Sequence, residues 1–307
     1  EIYQIIDNRI KKSINEKIRI LNCSICYLDN NHVDLTVLIA NIGLTATLFD
    51  CVCQTKDIPS YLIINGILGP EYSDESKYAS VINAYSSSIN DNYFKGMSNI
   101  VTLGDPRMDA YSTLAKPNII NRDNSTVIIG ASGFSPVDLN SYIAIEFDFM
   151  FDVLSALKTL KSEGHKLSII IKVRPNGYKG QYTQFLQDFF PNFVVDIIDD
   201  RPMISVLKKA DFYISINSQT LFEASCLGIP VVYYKKDSEV MFPPFDGKSE
   251  LVTVSTVNDL VQAFKDYQNN HPRYKCFLKR DVMEKYVGPL DGKNLSRNLS
   301  FINELLK

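Results

Sequence analysis

Short apolar runs alternate with segments of helical period along most of the chain. Runs rich in Val, Ile and Tyr predict strands at Val33–Ile39, Tyr61–Ile64, Ser80–Ala84, Ile100–Leu103, Thr126–Ile129, Leu167–Val173, Phe193–Ile197, Phe212–Ile216, Val231–Tyr234 and Leu251–Val254. Most of these runs are continuous rather than alternating, as expected of parallel strands covered on both faces. Helical spacing lies between them, over about 41–54, 87–95, 141–163, 179–189, 202–209, 219–227 and 256–269, and again in the final "NLSRNLSFINELL". Strand and helix patterns in alternation predict an α/β protein with doubly wound sheets. The first predicted element begins at Val33.

The periodicity breaks at "STLAKPNIINRDNST", Ser112 to Thr126, which is polar and contains Pro117. This places a domain boundary near residue 115. The expected division is a Rossmann-like domain over 1–115, a second over 116–290, and a C-terminal helix in 291–307 that crosses back to the first. The first half is short for its class, and the loss of its first strands is one reading of that.

Composition narrows the function classes. The 307 residues are 45% hydrophobic, enough for two ordinary cores, and the net charge of −3 gives no basic field to hold nucleic acid. No apolar run reaches the roughly 18 residues of a membrane-spanning helix. Among six cysteines, Cys23 and Cys26 form a C-x-x-C and Cys51 and Cys53 a C-x-C. All four could ligate zinc as thiolates, but both pairs sit in apolar segments without glycine-rich knuckles, so they read as reduced thiols.

Three strand ends in the second half carry candidate chemistry, and in open α/β sheets ligands bind beyond such ends. "TVIIGASG" ends in Gly130, Ala131, Ser132 and Gly133, small residues that let backbone N–H groups approach an anion; an ordinary β–α turn is the alternative. "LSIIIKVRP" puts Lys172 and Arg174 two residues apart at a strand exit, where a phosphate would satisfy both; ion pairs with Asp199 or Asp200 would serve equally. "DFYISINSQTLFEASCLGIPVVYY" sets Asn217, Ser218, Gln219 and Thr220 at a strand-to-helix turn, with Glu223 one turn on. Asn217 or Ser218 suits an N-cap. Capping accounts for one polar residue, whereas four in a row suit an anion seat, and Glu223 can accept from a ribose diol. Together the three ends describe a site for a nucleotide phosphate.

That last segment resembles the donor-binding strand–helix–strand of GT-B glycosyltransferases. Ser218, Gln219, Thr220, Glu223, Gly228 and Pro230 match it in order. "TLGDPRMDAY", Thr102 to Tyr111, resembles the G-x-P-R-x-D segment of enzymes that build bacterial surface polysaccharides and teichoic-acid-like polymers, and "GPLDGKNLSRNLSFINELL" resembles their C-terminal helix. The likeness runs from about Ser60 to the C-terminus. It implies two Rossmann-like domains facing across a cleft, a nucleotide-activated sugar as donor, and a glycan or lipid-linked glycan as acceptor. It implies neither metal nor further cofactor, and a cytoplasmic enzyme that can work at the inner membrane face through partners.

Departures from the pattern matter. Arg174-Pro175 stands where relatives carry His-Pro, and Asn65-Gly66 where they carry His-Gly. An amide does not titrate, so the general base falls to a carboxylate of "NGILGPEYSDESKY"; Glu71 is the choice, with Asp74 and Glu75 beside it. Other readings of the same cleft are a CDP-glycerol-type polyol-phosphate transferase, a sugar-nucleotide epimerase and a catalytically inactive GT-B binding module. Phe242 and Phe245, in the long loop "KKDSEVMFPPFDGKSE", are expected either to wall the sugar or base or to pack on the first domain.

Overall fold

The computed structural model describes residues 2–39, 43–64, 66, 77–112, 124–133, 141–175, 178–236 and 240–307. The chain forms two compact units, Glu1–Arg107 with Lys293–Lys307, and Met108–Gly292.

The first unit carries a parallel sheet in the order β1 (Thr36–Ile39), β2 (Ser60–Ile63), β3 (Val81–Asn83), β4 (Ile100–Val101). It opens with α1 (Ile2–Asn30), a 29-residue helix for which the sequence reading has no element. Its isoleucines at 2, 6, 10, 14 and 18 are four apart and exposed. No continuous apolar run marks them, although the spacing is helical. Near its end Leu28 is buried with Val52 and Cys53 of α2 (Leu44–Thr55), beside Leu21 and Phe49. α3 (Ser87–Tyr93) starts at Ser86, whose hydroxyl accepts the Ile89 N–H.

The C-terminal helix, α11 (Asn294–Leu305), belongs to this unit and joins it through a buried polar network. Asn298 Oδ1 accepts from the Tyr61 hydroxyl and from Asn83 Nδ2 at 2.9 Å, while its Nδ2 donates to Gly104 O at 3.2 Å and Asn294 O at 2.8 Å. Asn294 Nδ2 donates to Asp105 O at 3.1 Å, and Arg297 Nε to Leu103 O at 3.0 Å. Gly104 has φ +84°, and a Cβ there would stand 2.0 Å from Asn294 Oδ1. The "GDPR" segment and the terminal helix, distant in sequence, thus pack on one another, and glycine is the residue that permits it.

The second unit holds six parallel strands in the order β10-β9-β8-β5-β6-β7. These are β5 (Ser125–Gly130), β6 (Leu167–Lys172), β7 (Asp196–Ile198), β8 (Phe212–Ser215), β9 (Val231–Tyr234) and β10 (Thr253–Val254). The connections carry α4 (Ser141–Ser162), α5 (Lys179–Phe189), α6 (Met203–Leu207), α7 (Thr220–Cys226) and α8 (Val257–Gln268), followed by α9 (Arg273–Phe277) and α10 (Arg280–Val287). One face of the sheet, with Val127, Ile129, Ile171, Phe212, Ile214 and Val232, is buried against Val153 and Leu157 of α4 and Leu260 and Phe264 of α8. The continuous apolar runs are the sequence mark of that two-sided burial.

Phe242 and Phe245 follow β9 in the chain. Both are buried inside the second unit, where Phe245 meets Tyr233 of β9 and Phe222 of α7 edge-on. Two aromatic rings close to a strand face and a helix face are most stable when desolvated there.

Candidate functional site

From β5 the chain winds outward through β6 to β7, then returns to the other side of β5 as β8 and winds outward again to β10. This order reverses between β5 and β8, which makes the carboxyl ends of those strands the switch point where α/β proteins hold ligands. The register brings the three candidate strand ends to one level: Gly130 pairs with Lys172 on one side and Ser215 on the other.

Gly130 is required by a close approach. A Cβ there would lie 1.8 Å from the Tyr213 hydroxyl, and the Ser215 hydroxyl donates to the Gly130 carbonyl at 2.8 Å. Tyr213 crosses over Gly130 to bond Thr220 Oγ1. Thr220 Oγ1 is also hydrogen-bonded to Ser218 Oγ at 2.9 Å, and Ser218 Oγ accepts the Thr220 N–H at 3.3 Å. Gln219, without a side-chain cap, precedes α7. Neither Asn217 nor Ser218 is thus the residue directly before the helix, although Ser218 satisfies its first N–H. Asn217, Ser218, Gln219 and Thr220 are all half-buried.

Glu223 lies in the first turn of α7, half-buried, and accepts the Tyr111 hydroxyl at 2.7 Å. Burial, with the charge of Glu223 added, pushes the neighbouring Cys226 thiol up to about 12.

The Gly130–Gly133 turn has a partner that the sequence reading missed. Glu146 of α4 is fully buried beneath it. Ser132 Oγ donates to Glu146 Oε2 at 2.6 Å, the Tyr182 hydroxyl donates to Oε1, and the Ser132 and Gly133 N–H groups also face this carboxylate. Gly133 N–H donates to the Tyr182 oxygen at 3.0 Å. Burial pushes the Glu146 carboxyl above the usual range, and these hydrogen bonds oppose the shift. The donors expected to meet a ligand anion therefore serve an internal carboxylate. The signal was available: Glu146 shares a helical face with Met150, Val153 and Leu157, all core residues.

Lys172 and Arg174 part company. Lys172, the last residue of β6, is buried and donates from Nζ to Val173 O at 2.5 Å. Burial lowers its pKa, while the charges of Asp199 and Asp200 raise it. Arg174 is exposed two residues later. Asn65, Glu71, Asp74 and Glu75 lie outside the described residues. Among the described residues no group of three or more His, Cys, Asp and Glu side chains could hold a metal ion, and no helix is long and apolar enough to cross a membrane.

No known family profile and no curated protein sequence matches this chain. Solved structures do. MnaA of S. aureus, in a co-structure with UDP, superposes with a TM-score of 0.65 at 15% identity, over 94% of this chain and 79% of that one. UDP-GlcNAc 2-epimerase from Neisseria meningitidis, bound to UDP-GlcNAc, gives 0.64 at 15% identity, over 94% and 81%. A glycosyltransferase from Rickettsia africae gives 0.56 at 14% identity, over 94% and 82%. The fold is therefore of GT-B type, two Rossmann-like units.

Proposed function

We propose that this chain is an enzyme of nucleotide-activated sugars and holds its nucleotide at the carboxyl edge of the second unit's sheet. The observation that carries the reading is the alignment of Gly130, Lys172 and Ser215 at one level of the switch point, with Ser218, Thr220 and Glu223 following directly from β8. In this reading the Ser218–Thr220 turn and Arg174 bind the diphosphate, and Lys172 adds a buried positive charge behind it. Glu223 accepts from the ribose. The favoured base is uracil, since two of the similar structures were solved with UDP or UDP-GlcNAc.

Two chemistries suit such a site. Glycosyl transfer to a surface-glycan acceptor is favoured by the sequence resemblance. Inversion at C2 of the sugar is favoured by the higher superposition scores of the epimerase, 0.64 against 0.56. Both need the nucleotide's leaving charge stabilised, which positive groups and N–H donors fixed in advance do best.

Calorimetric titration with UDP, CDP and GDP tests the shared reading. UDP is expected to bind, and Arg174→Ala to weaken it about ten-fold without loss of stability. Absence of binding by all three nucleotides overturns the reading. NMR of UDP-GlcNAc incubations separates the chemistries: a C2-epimerised sugar, on UDP or released, means epimerisation, and slow release of unepimerised sugar means transfer.

A further inference from the structure

We propose that Tyr111 is a positioning residue that orients the Glu223 carboxylate for the ribose diol; this rests on the nucleotide reading above. Tyr111 ends the "TLGDPRMDAY" segment, to which the site as described gives no task. It is buried, and its hydroxyl lies 2.7 Å from Glu223 Oε2. An ionised carboxylate only accepts, so the bond has one direction, Tyr111 donating.

The tyrosine is itself held. It follows the 3-10 turn Pro106–Ala110, and its N–H donates to Met108 O at 3.0 Å. Met108 is fully buried, and Ser112 Oγ donates to Asp109 O at 2.8 Å, closing the turn behind the ring. A rigid donor thus meets a side chain with three rotatable bonds on the first turn of α7. A carboxylate offers about four lone-pair sites, and the bond from Tyr111 to Oε2 sets its plane. The gain is in preorganisation: the carboxylate need not be ordered when the nucleotide arrives.

The test compares UDP with 2′,3′-dideoxy-UDP by calorimetric titration of the whole chain as wild type, Tyr111→Phe and Glu223→Gln. Phenylalanine keeps the buried ring. The wild type is expected to prefer UDP, Glu223→Gln to abolish that preference, and Tyr111→Phe to reduce it about five-fold while dideoxy-UDP binds as before. A merely structural role would weaken both ligands alike, and that outcome overturns the proposal. So does an unchanged preference in Tyr111→Phe alongside its loss in Glu223→Gln, which leaves the nucleotide reading standing. A wild type without preference, or without UDP binding, removes the ribose role of Glu223 and the proposal with it. Should Tyr111→Phe not fold, Glu223→Asp, which draws the carboxylate back from Tyr111, is expected to show the same reduced preference; an unchanged one overturns the proposal.

Discussion

The Ser132 hydroxyl donates to Glu146 Oε2 at 2.6 Å, so the turn at the end of β5 is anchored from below by a carboxylate of α4. A small-residue turn that looks outward in sequence is held inward by a carboxyl group that solvent does not reach.

This arrangement sets a pH dependence. The folded pKa of Glu146 lies above its ordinary 4.5, so the folded state binds that proton more tightly than the unfolded chain does. Its contribution to stability is complete below about 4.5 and is lost as pH rises through the folded value. Urea denaturation of wild type and Glu146→Gln between pH 4.5 and 8 is expected to show the wild type's advantage shrinking as pH rises. An advantage that grows over this range contradicts the assignment.

At the same turn, Gly130→Ala is expected to cost about 1–3 kcal/mol, because the new methyl meets the Tyr213 hydroxyl. Adding Tyr213→Phe removes the nearest atom, so the double variant should be more stable than the two single losses summed. A thermal-denaturation double-mutant cycle with zero coupling would contradict the contact.

Asn298→Ala in α11 strips the Tyr61 hydroxyl and the Asn83 amide of their shared acceptor and Gly104 O of a donor. Asn83 Nδ2 keeps Gly104 O at 3.0 Å, so the Tyr61 hydroxyl is the donor that loses its acceptor, and the expected cost is about 1–3 kcal/mol. Chemical denaturation measures this, and a loss below about 0.5 kcal/mol would mean that the network contributes little.

Phe245→Ala tests whether the aromatic loop packs or binds. Loss of a buried ring against Phe222 and Tyr233 is expected to lower stability by about 3–5 kcal/mol. In the folded fraction UDP affinity should stay within about two-fold of wild type if the ring's role is packing against Phe222 and Tyr233. A selective loss of affinity without loss of stability would restore the sugar-wall role.

Much of the second unit was legible in the chain. "VIIG", "SIIIK", "FYIS" and "VVYY" are unbroken apolar runs because each strand is covered on both faces, and such runs announce themselves without an alignment. The Ser218–Thr220 cluster and Glu223 were legible for a related reason: polar residues crowded at the end of a buried strand need an explanation beyond capping. α1 was not legible as an element of the fold, because an exposed helix leaves only a spaced stripe among charges.

The sequence by itself determined the strands, the helices that alternate with them and so the parallel α/β class, because side-chain burial on one face or two is written in local periodicity; α1, α9 and α10 lay outside that reading. It also named most of the polar residues at the strand ends. Only the tertiary structure decided which way those residues turn. Lys172 ends β6 and Arg174 comes two residues later, yet one is buried against its own backbone and the other is exposed. Ser132 is taken by Glu146, fourteen residues away, and Glu223 by Tyr111, 112 residues away. Local pattern fixes what a segment can form, but a hydrogen-bond donor goes to whichever acceptor the fold desolvates beside it, and that choice is made by contacts remote in the chain.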